Sequence, residues 1–232
     1  LRNFPGRKLI VSESTSALMT RGYYEMPSDH IYIRPESWDK PFEAPEHVCS
    51  SYDNCHVPWG STHEKTWHLV KTLPHVSGLF VWTGFDYLGE PTPYWWPSRS
   101  SFFGIVDLAG FPKDVYYMYK SEWTDEPVLH IFPHWNWKEG ERVDIWAYYN
   151  NADEVELYLN GKSLGVRQKT DSTYHVSWRV PFTPGTLRAV SRLGGKEVLV
   201  KEIHTAGEPA RLVLTPDRSV IQADGSDLSF VT

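Results

Sequence analysis

Hydrophobic and polar positions change rhythm twice along this 232-residue chain. Residues 8–13, KLIVSE, form a short apolar run rich in β-formers that breaks off in Ser-Glu-Ser, which predicts a strand running into a polar mouth. The loop-like residues that follow carry Pro27, Pro35, Pro41, Pro45 and Pro58 among scattered Trp and Tyr. A stretch so long and so aromatic reads as an ordered functional insertion, not a linker. STHEKTWHLVKTL then sets Trp67, Val70 and Leu73 behind Ser61 and Glu64 in capping-box spacing, the signature of a helix that Pro74 ends. Gly78 leads into the continuous apolar run LFVW, which suits a strand covered on both faces. After Pro112, KDVYYMYKSEW predicts a further helix.

Strand, helix, strand is a βαβ unit, and such a unit belongs to a parallel sheet or an α/β barrel. Two parallel strands can neither bury both faces nor close a barrel, so further strands upstream of Leu1 are expected.

From Asp125 the rhythm becomes that of short strands: VLHIFPHW, RVDIWAYYN, VELYLNGKSLGV, HVSWRVPF and TLRAVSRLGGKEVLVKEIHT. Val155, Leu157 and Leu159 alternate with Glu156, Tyr158 and Asn160, and Asn160-Gly161 and Gly194-Gly195 are hairpin signals. The pattern predicts an α/β portion over 1–125 and a seven-stranded Ig-like β-sandwich over 126–206. Residues 207–232 read as the start of another β-domain, so the chain is expected to be cut at both ends.

A formal net charge of −6 without a Lys/Arg cluster argues against nucleic-acid and anionic-membrane partners, which need a basic face. No apolar run reaches the roughly 18 residues of a membrane span, and LRNFPGRKLIVSES lacks the core and cleavage site of a signal peptide. Aromatic residues make up 15% of the chain, with 11 Trp and 13 Tyr. Their flat faces and polar edges suit sugar rings as well as they suit ordinary cores. Cys49 and Cys55, in CSSYDNC, have neither zinc-like spacing nor the density of a disulfide scaffold and are expected as free thiols. His63 and His68 stand five apart, which is not the same-face spacing of a ligand pair, so no metal or cofactor is expected.

Candidate chemistry lies at the strand mouths. Glu13 sits where a barrel strand would end at its C-terminal face, the place such folds put reactive groups. The second strand empties into GLFVWTGFDYLGEPTPYWWP, which brings Trp82, Asp86, Tyr87 and Glu90 and then Tyr94, Trp95 and Trp96. Two mouths thus converge on a carboxylate, a ring and a second carboxylate.

VWTGFDYLGEPTPYWWPSRSSFFGIVDLAGFPKD together with VELYLNGKSLG resembles glycoside hydrolase family 2, in particular its multidomain bacterial β-galactosidases. The resemblance implies that residues 1–125 are the last two βα units of a (β/α)8 TIM barrel, with the sandwich as an accessory domain. It implies retaining hydrolysis of terminal β-galactosides, with Glu13 as the nucleophile within SESTSA and Trp82 as a wall of the sugar subsite. Asp86, Tyr87 and Glu90 would shape the floor or rim of that subsite. The acid/base glutamate of the family, which follows an asparagine, has no counterpart in this chain, so the chain alone is expected to be inactive.

Within the family, β-glucuronidase and β-mannosidase activities stay open, as does homo-oligomerisation through the parent protein. A periplasmic or secreted bacterial location is expected. A rival reading makes the sandwich a carbohydrate-binding or structural module. An exposed row of Trp135, Trp137 and Trp146 would mark binding; burial of those rings would mark a scaffold, the favoured outcome.

Overall fold

The structure, a computed structural model, describes residues 6–37, 40 and 42–232; Pro41 of the insertion lies outside them. The chain runs through β1 (Leu9–Thr15), β2 (Tyr32–Ile33), β3 (Cys55–His56), α1 (His63–Thr72), β4 (Val76–Trp82) and α2 (Asp114–Trp123). Seven strands follow: β5 (Leu129–Phe132), β6 (Arg142–Tyr149), β7 (Glu154–Leu159), β8 (Lys162–Arg167), β9 (His175–Pro181), β10 (Thr186–Leu193) and β11 (Lys196–His204).

β1 pairs in parallel with β4, and α1 lies in the connection between them. The start of α1 differs from the expected capping box. Its N-cap is Thr62, whose hydroxyl accepts from Lys65 N, while the N–H groups of His63 and Glu64 donate to the two oxygens of Asp53 at 2.8 and 2.7 Å. First-turn N–H groups need acceptors, and the two oxygens of the buried Asp53 side chain from the insertion supply them in place of the Ser61–Glu64 pair. The buried face of α1 also differs, running through His63, Thr66 and Val70, whereas Leu69 and Leu73 stay exposed. Cys49 and Cys55 are free and buried.

The second half forms two antiparallel sheets, ordered β11-β10-β7-β8 and β5-β6-β9. Asn160, Gly161, Gly194 and Gly195 all have positive φ, the backbone that two-residue hairpin turns require, which is why these dipeptides mark the β7–β8 and β10–β11 turns. Between the sheets lie Ile145, Leu157, Trp178, Leu187 and Ala189, with Trp135 wholly buried and its indole N–H donating to Thr183 O at 3.0 Å. The seven strands thus form a β-sandwich with a core of its own.

The outer face of the three-stranded sheet is covered as well. Phe132, Trp146 and Tyr148 pack against Ala17, Met19 and Tyr52 of the insertion and Val115, Met118 and Tyr119 of α2. Polar contacts fix the seam. Asp144 accepts from Ser28 N (2.7 Å) and Arg179 Nε (2.5 Å), Trp146 Nε1 donates to Ser28 Oγ (2.9 Å), and His175 pairs with Glu64 (2.6 Å). The Trp146 ring stacks flat on His175 at 3.5 Å. Trp137 stacks on His134 and packs partly buried against the sandwich core. Trp135 and Trp146 are buried and Trp137 partly so, and the three present no exposed row.

Residues 207–232 form no strand beyond a single bridge between Pro216 and Val231, and Leu212, Leu214, Val220 and Phe230 stay exposed. Two short β-like segments cannot bury an apolar face by themselves.

Leu157 is wholly buried between the sheets. Leu157→Ala is expected to destabilise the protein by about 2–5 kcal/mol, read as a lower denaturant midpoint at unchanged slope.

Candidate active site

Both strands of the parallel pair deliver side chains at the same end. Register advances from Val11↔Leu79 to Ser14↔Val81, three residues along β1 against two along β4, so β1 carries a bulge of one extra residue. Ser12 and Glu13 occupy it. A bulge re-aims side chains, and here Glu13 stands exposed, without a hydrogen-bond or ion-pair partner among the described residues. Thr15 is in register with Trp82, so the carboxylate lies two residues from the position level with the ring.

Beyond Trp82 the chain doubles back on itself. Thr83 and Phe103, Thr83 and Ile105, Gly84 and Val106, and Tyr87 and Ser101 are joined by backbone hydrogen bonds. Gly104 is required at the tightest point, because a Cβ there would lie 2.1 Å from Asp86 N. The Trp82 and Tyr87 rings meet edge to face at 5.9 Å, and the Tyr87 hydroxyl donates to Glu90.

Asp86 is committed to Lys113. Its Oδ2 lies 2.7 Å from Lys113 Nζ and its Oδ1 accepts from Gly104 N at 2.8 Å. Lys113 is 1% exposed and donates also to Met19 O at 2.7 Å. Burial pushes the Asp86 carboxyl up and the Lys113 amine down, and the ion pair opposes both. Asp86 can therefore shape a pocket floor through the loop it holds, while both its oxygens remain engaged.

Under the strand ends lies a second polar group. Thr15 Oγ1 is 3.2 Å from His63 Nδ1, and the Tyr119 hydroxyl is 2.9 Å from the same nitrogen. Burial, with the Lys113 charge, lowers the His63 pKa to about 3, so the ring is neutral at ordinary pH. Burial, with Glu64 nearby, raises Asp53 to about 7. Behind α2, Asp114 accepts from Tyr24 (2.8 Å), Ser51 (2.6 Å) and His130 Nε2 (2.7 Å), joining insertion, helix and sandwich. Neither Lys113 nor Asp53 was singled out from the sequence. Lysine is ordinarily exposed, and nothing local distinguishes a buried one. Among the described residues, no cluster of three or more His, Cys, Asp or Glu could hold a metal ion.

Comparison with known proteins gives this geometry a context. Residues 140–199 match a family model described as a domain of unknown function, DUF4982. A β-galactosidase of Bacteroides ovatus is 63% identical over 230 residues, 99% of this chain and 27% of that protein. The crystal structure of a β-glycosidase from Bacteroides vulgatus superposes with TM-score 0.81 at 32% identity, over 96% of this chain and 30% of that one. A glycosyl hydrolase family 2 member from Bacteroides cellulosilyticus gives TM-score 0.65 at 32% identity, over 72% of this chain and 26% of that one. The chain thus spans between a quarter and a third of the length of these relatives. The fold of the chain is therefore shared with parts of these structures. The chain belongs to glycoside hydrolase family 2.

Lys113→Ala should leave Asp86 buried and unpaired, destabilising the protein by about 3–5 kcal/mol, whereas Asp86→Asn paired with Lys113→Met should recover much of that loss. Denaturant titration of the single and the double variant against the parent measures it. A second outcome concerns pH. Between about pH 4 and 7 folded Asp53 keeps a proton that the unfolded chain has lost, so this group makes stability fall as pH rises. Between about pH 3 and 6.5 the unfolded chain protonates His63 and the folded one does not, so this group makes stability rise with pH. The two oppose each other. Relative to the parent, Asp53→Asn should tilt stability upward with pH across that window and His63→Gln should tilt it downward, by at most about 1.4 kcal/mol per pH unit.

Proposed function

We propose that this chain is the C-terminal share of the catalytic barrel, with following domains, of a retaining exo-β-galactosidase. In this reading residues 1–125 supply the last two βα units of a (β/α)8 barrel, with Glu13 closing the seventh strand and Trp82 the eighth. Residues 126–206 buttress them as an Ig-like sandwich, and residues 207–232 open a further β-domain.

Glu13 is the nucleophile. Its carboxylate attacks the anomeric carbon of a terminal β-galactoside while the bond to the leaving oxygen breaks, and an acid from another part of the parent protein, about 5 Å away, protonates that oxygen. Water, deprotonated by the same group, then releases galactose and restores the carboxylate. Trp82 offers its face to the apolar side of the sugar. Tyr87 and Glu90, bonded to each other, form the rim, and Asp86 shapes the floor through the loop it anchors. The observation that carries this is the bulge-borne, unpaired Glu13 at the same strand end as Trp82, in a chain 63% identical to a β-galactosidase.

In the complete enzyme, Glu13→Ala should lower kcat on an aryl β-galactoside by about a thousandfold or more. Added azide should restore turnover and yield the α-galactosyl azide, because azide then fills the face that the carboxylate used. Retained activity, or a β-azide product, would remove Glu13 from the nucleophile role. Faster cleavage of an aryl β-glucuronide than of the galactoside by the parent enzyme would replace galactose by glucuronic acid. Trp82→Ala should lower kcat/KM by about tenfold or more with the fold intact, since stacking contributes on the order of 1 kcal/mol.

A further inference from the structure

Trp95 and Trp96 are the part of the aromatic stretch that the catalytic reading leaves unused. They are 70% and 73% exposed, although large rings are ordinarily well covered. Their exposure is built, because the loop beneath them is tied down on all sides. Tyr94, just before them, is buried; its hydroxyl donates to Val48 O at 2.6 Å, and its ring stacks on His47 at 4.8 Å. His47 Nδ1 lies 2.7 Å from Ser98 Oγ, and Ser98 N donates to Trp95 O at 2.9 Å. The Arg99 guanidinium sits 4.5 Å over the Trp96 ring.

The two rings line a 450 Å³ cavity together with Phe42, Glu43, Pro45 and His47. That volume suits one or two pyranose rings and falls within the usual range for small-molecule sites. Its lining among the described residues carries the Glu43 carboxylate and no lysine or arginine, which disfavours an anionic ligand. Its apolar lining is flat and aromatic, which suits the C–H face of a sugar. The cavity lies beside the strand mouth, since Phe42 of its lining packs in the cluster that also holds Trp82 and Tyr87. Tyr94 belongs to the same packed cluster as Phe42, Trp82 and Tyr87.

We infer that Trp95 and Trp96 form a leaving-group-side subsite, which takes the second and later sugar rings of a neutral oligosaccharide whose terminal galactose occupies the site at Trp82. This rests on the glycosidase reading above, and it makes the preferred substrate an extended glycan instead of a simple galactoside.

Two measurements keep the inference and that reading apart. In the complete enzyme, the Trp95→Ala/Trp96→Ala double variant should lower kcat/KM on a neutral galactose-terminated tetrasaccharide by about tenfold, mainly through KM, and leave an aryl β-galactoside within about twofold. Equal losses on both substrates, or no loss on either, would overturn the subsite. A parent enzyme inactive on both would refute the glycosidase reading, and the second measurement then decides the subsite. Saturation-transfer NMR on the present chain with the same tetrasaccharide should show transfer to its internal sugar protons. That transfer should vanish in the double variant and persist in Glu13→Gln. Absence of transfer in the parent chain, or its survival in the double variant, would overturn the inference. Both rings are exposed, so the double variant should unfold at the parent's temperature.

Discussion

The ammonium of Lys113 is the charge around which the N-terminal half is arranged. A buried lysine is unfavourable unless every donor finds an acceptor, and this one reaches Asp86 and the carbonyl of Met19. Those partners lie on separate stretches of chain, the insertion after β1 and the excursion after β4. Satisfying one charge therefore fixes the distance between the two strand mouths. Lys113 also immediately precedes α2, so the same contact sets where that helix starts. Gly104 completes the arrangement by letting the returning backbone approach Asp86 closely enough to donate to its carboxylate.

From α2 the constraint passes to the sandwich. Asp114 binds groups from the insertion and from β5, and the exposed-looking face of β6 is closed by Val115, Met118 and Tyr119. Much of the tryptophan and tyrosine content is spent in this seam and in the two cores, where broad rings with one polar atom can bury area and still satisfy an N–H or O–H. Trp146 does both, stacking on His175 while donating to Ser28. What remains exposed, above all Trp95 and Trp96, stands out against that background.

The elements legible in the sequence were those encoded locally. The strand–helix–strand order and the Asn160-Gly161 and Gly194-Gly195 turns follow from periodicity and from the backbone that glycine permits, and they appear at the expected positions. The features that depend on distant partners were not legible. The Ser12–Glu13 bulge exists only relative to β4, the cap of α1 comes from Asp53 ten residues upstream of His63, and burial of the Trp146 side of β6 needs α2. For the site, the residue types at the strand ends pointed to Glu13 and Trp82. The engagement of both Asp86 oxygens by Lys113 and Gly104 is a tertiary fact that the residue types do not carry.

The proposed function requires Glu13, at the same strand end as Trp82, to attack the sugar in the complete enzyme. Its most direct test is to inactivate the complete enzyme with an activated 2-deoxy-2-fluoro-β-galactoside and map the modified peptide by mass spectrometry. The account predicts a single galactosyl adduct, on the peptide that contains Ser12-Glu13-Ser14. An adduct on any other carboxylate, or turnover with no covalent adduct, would contradict it.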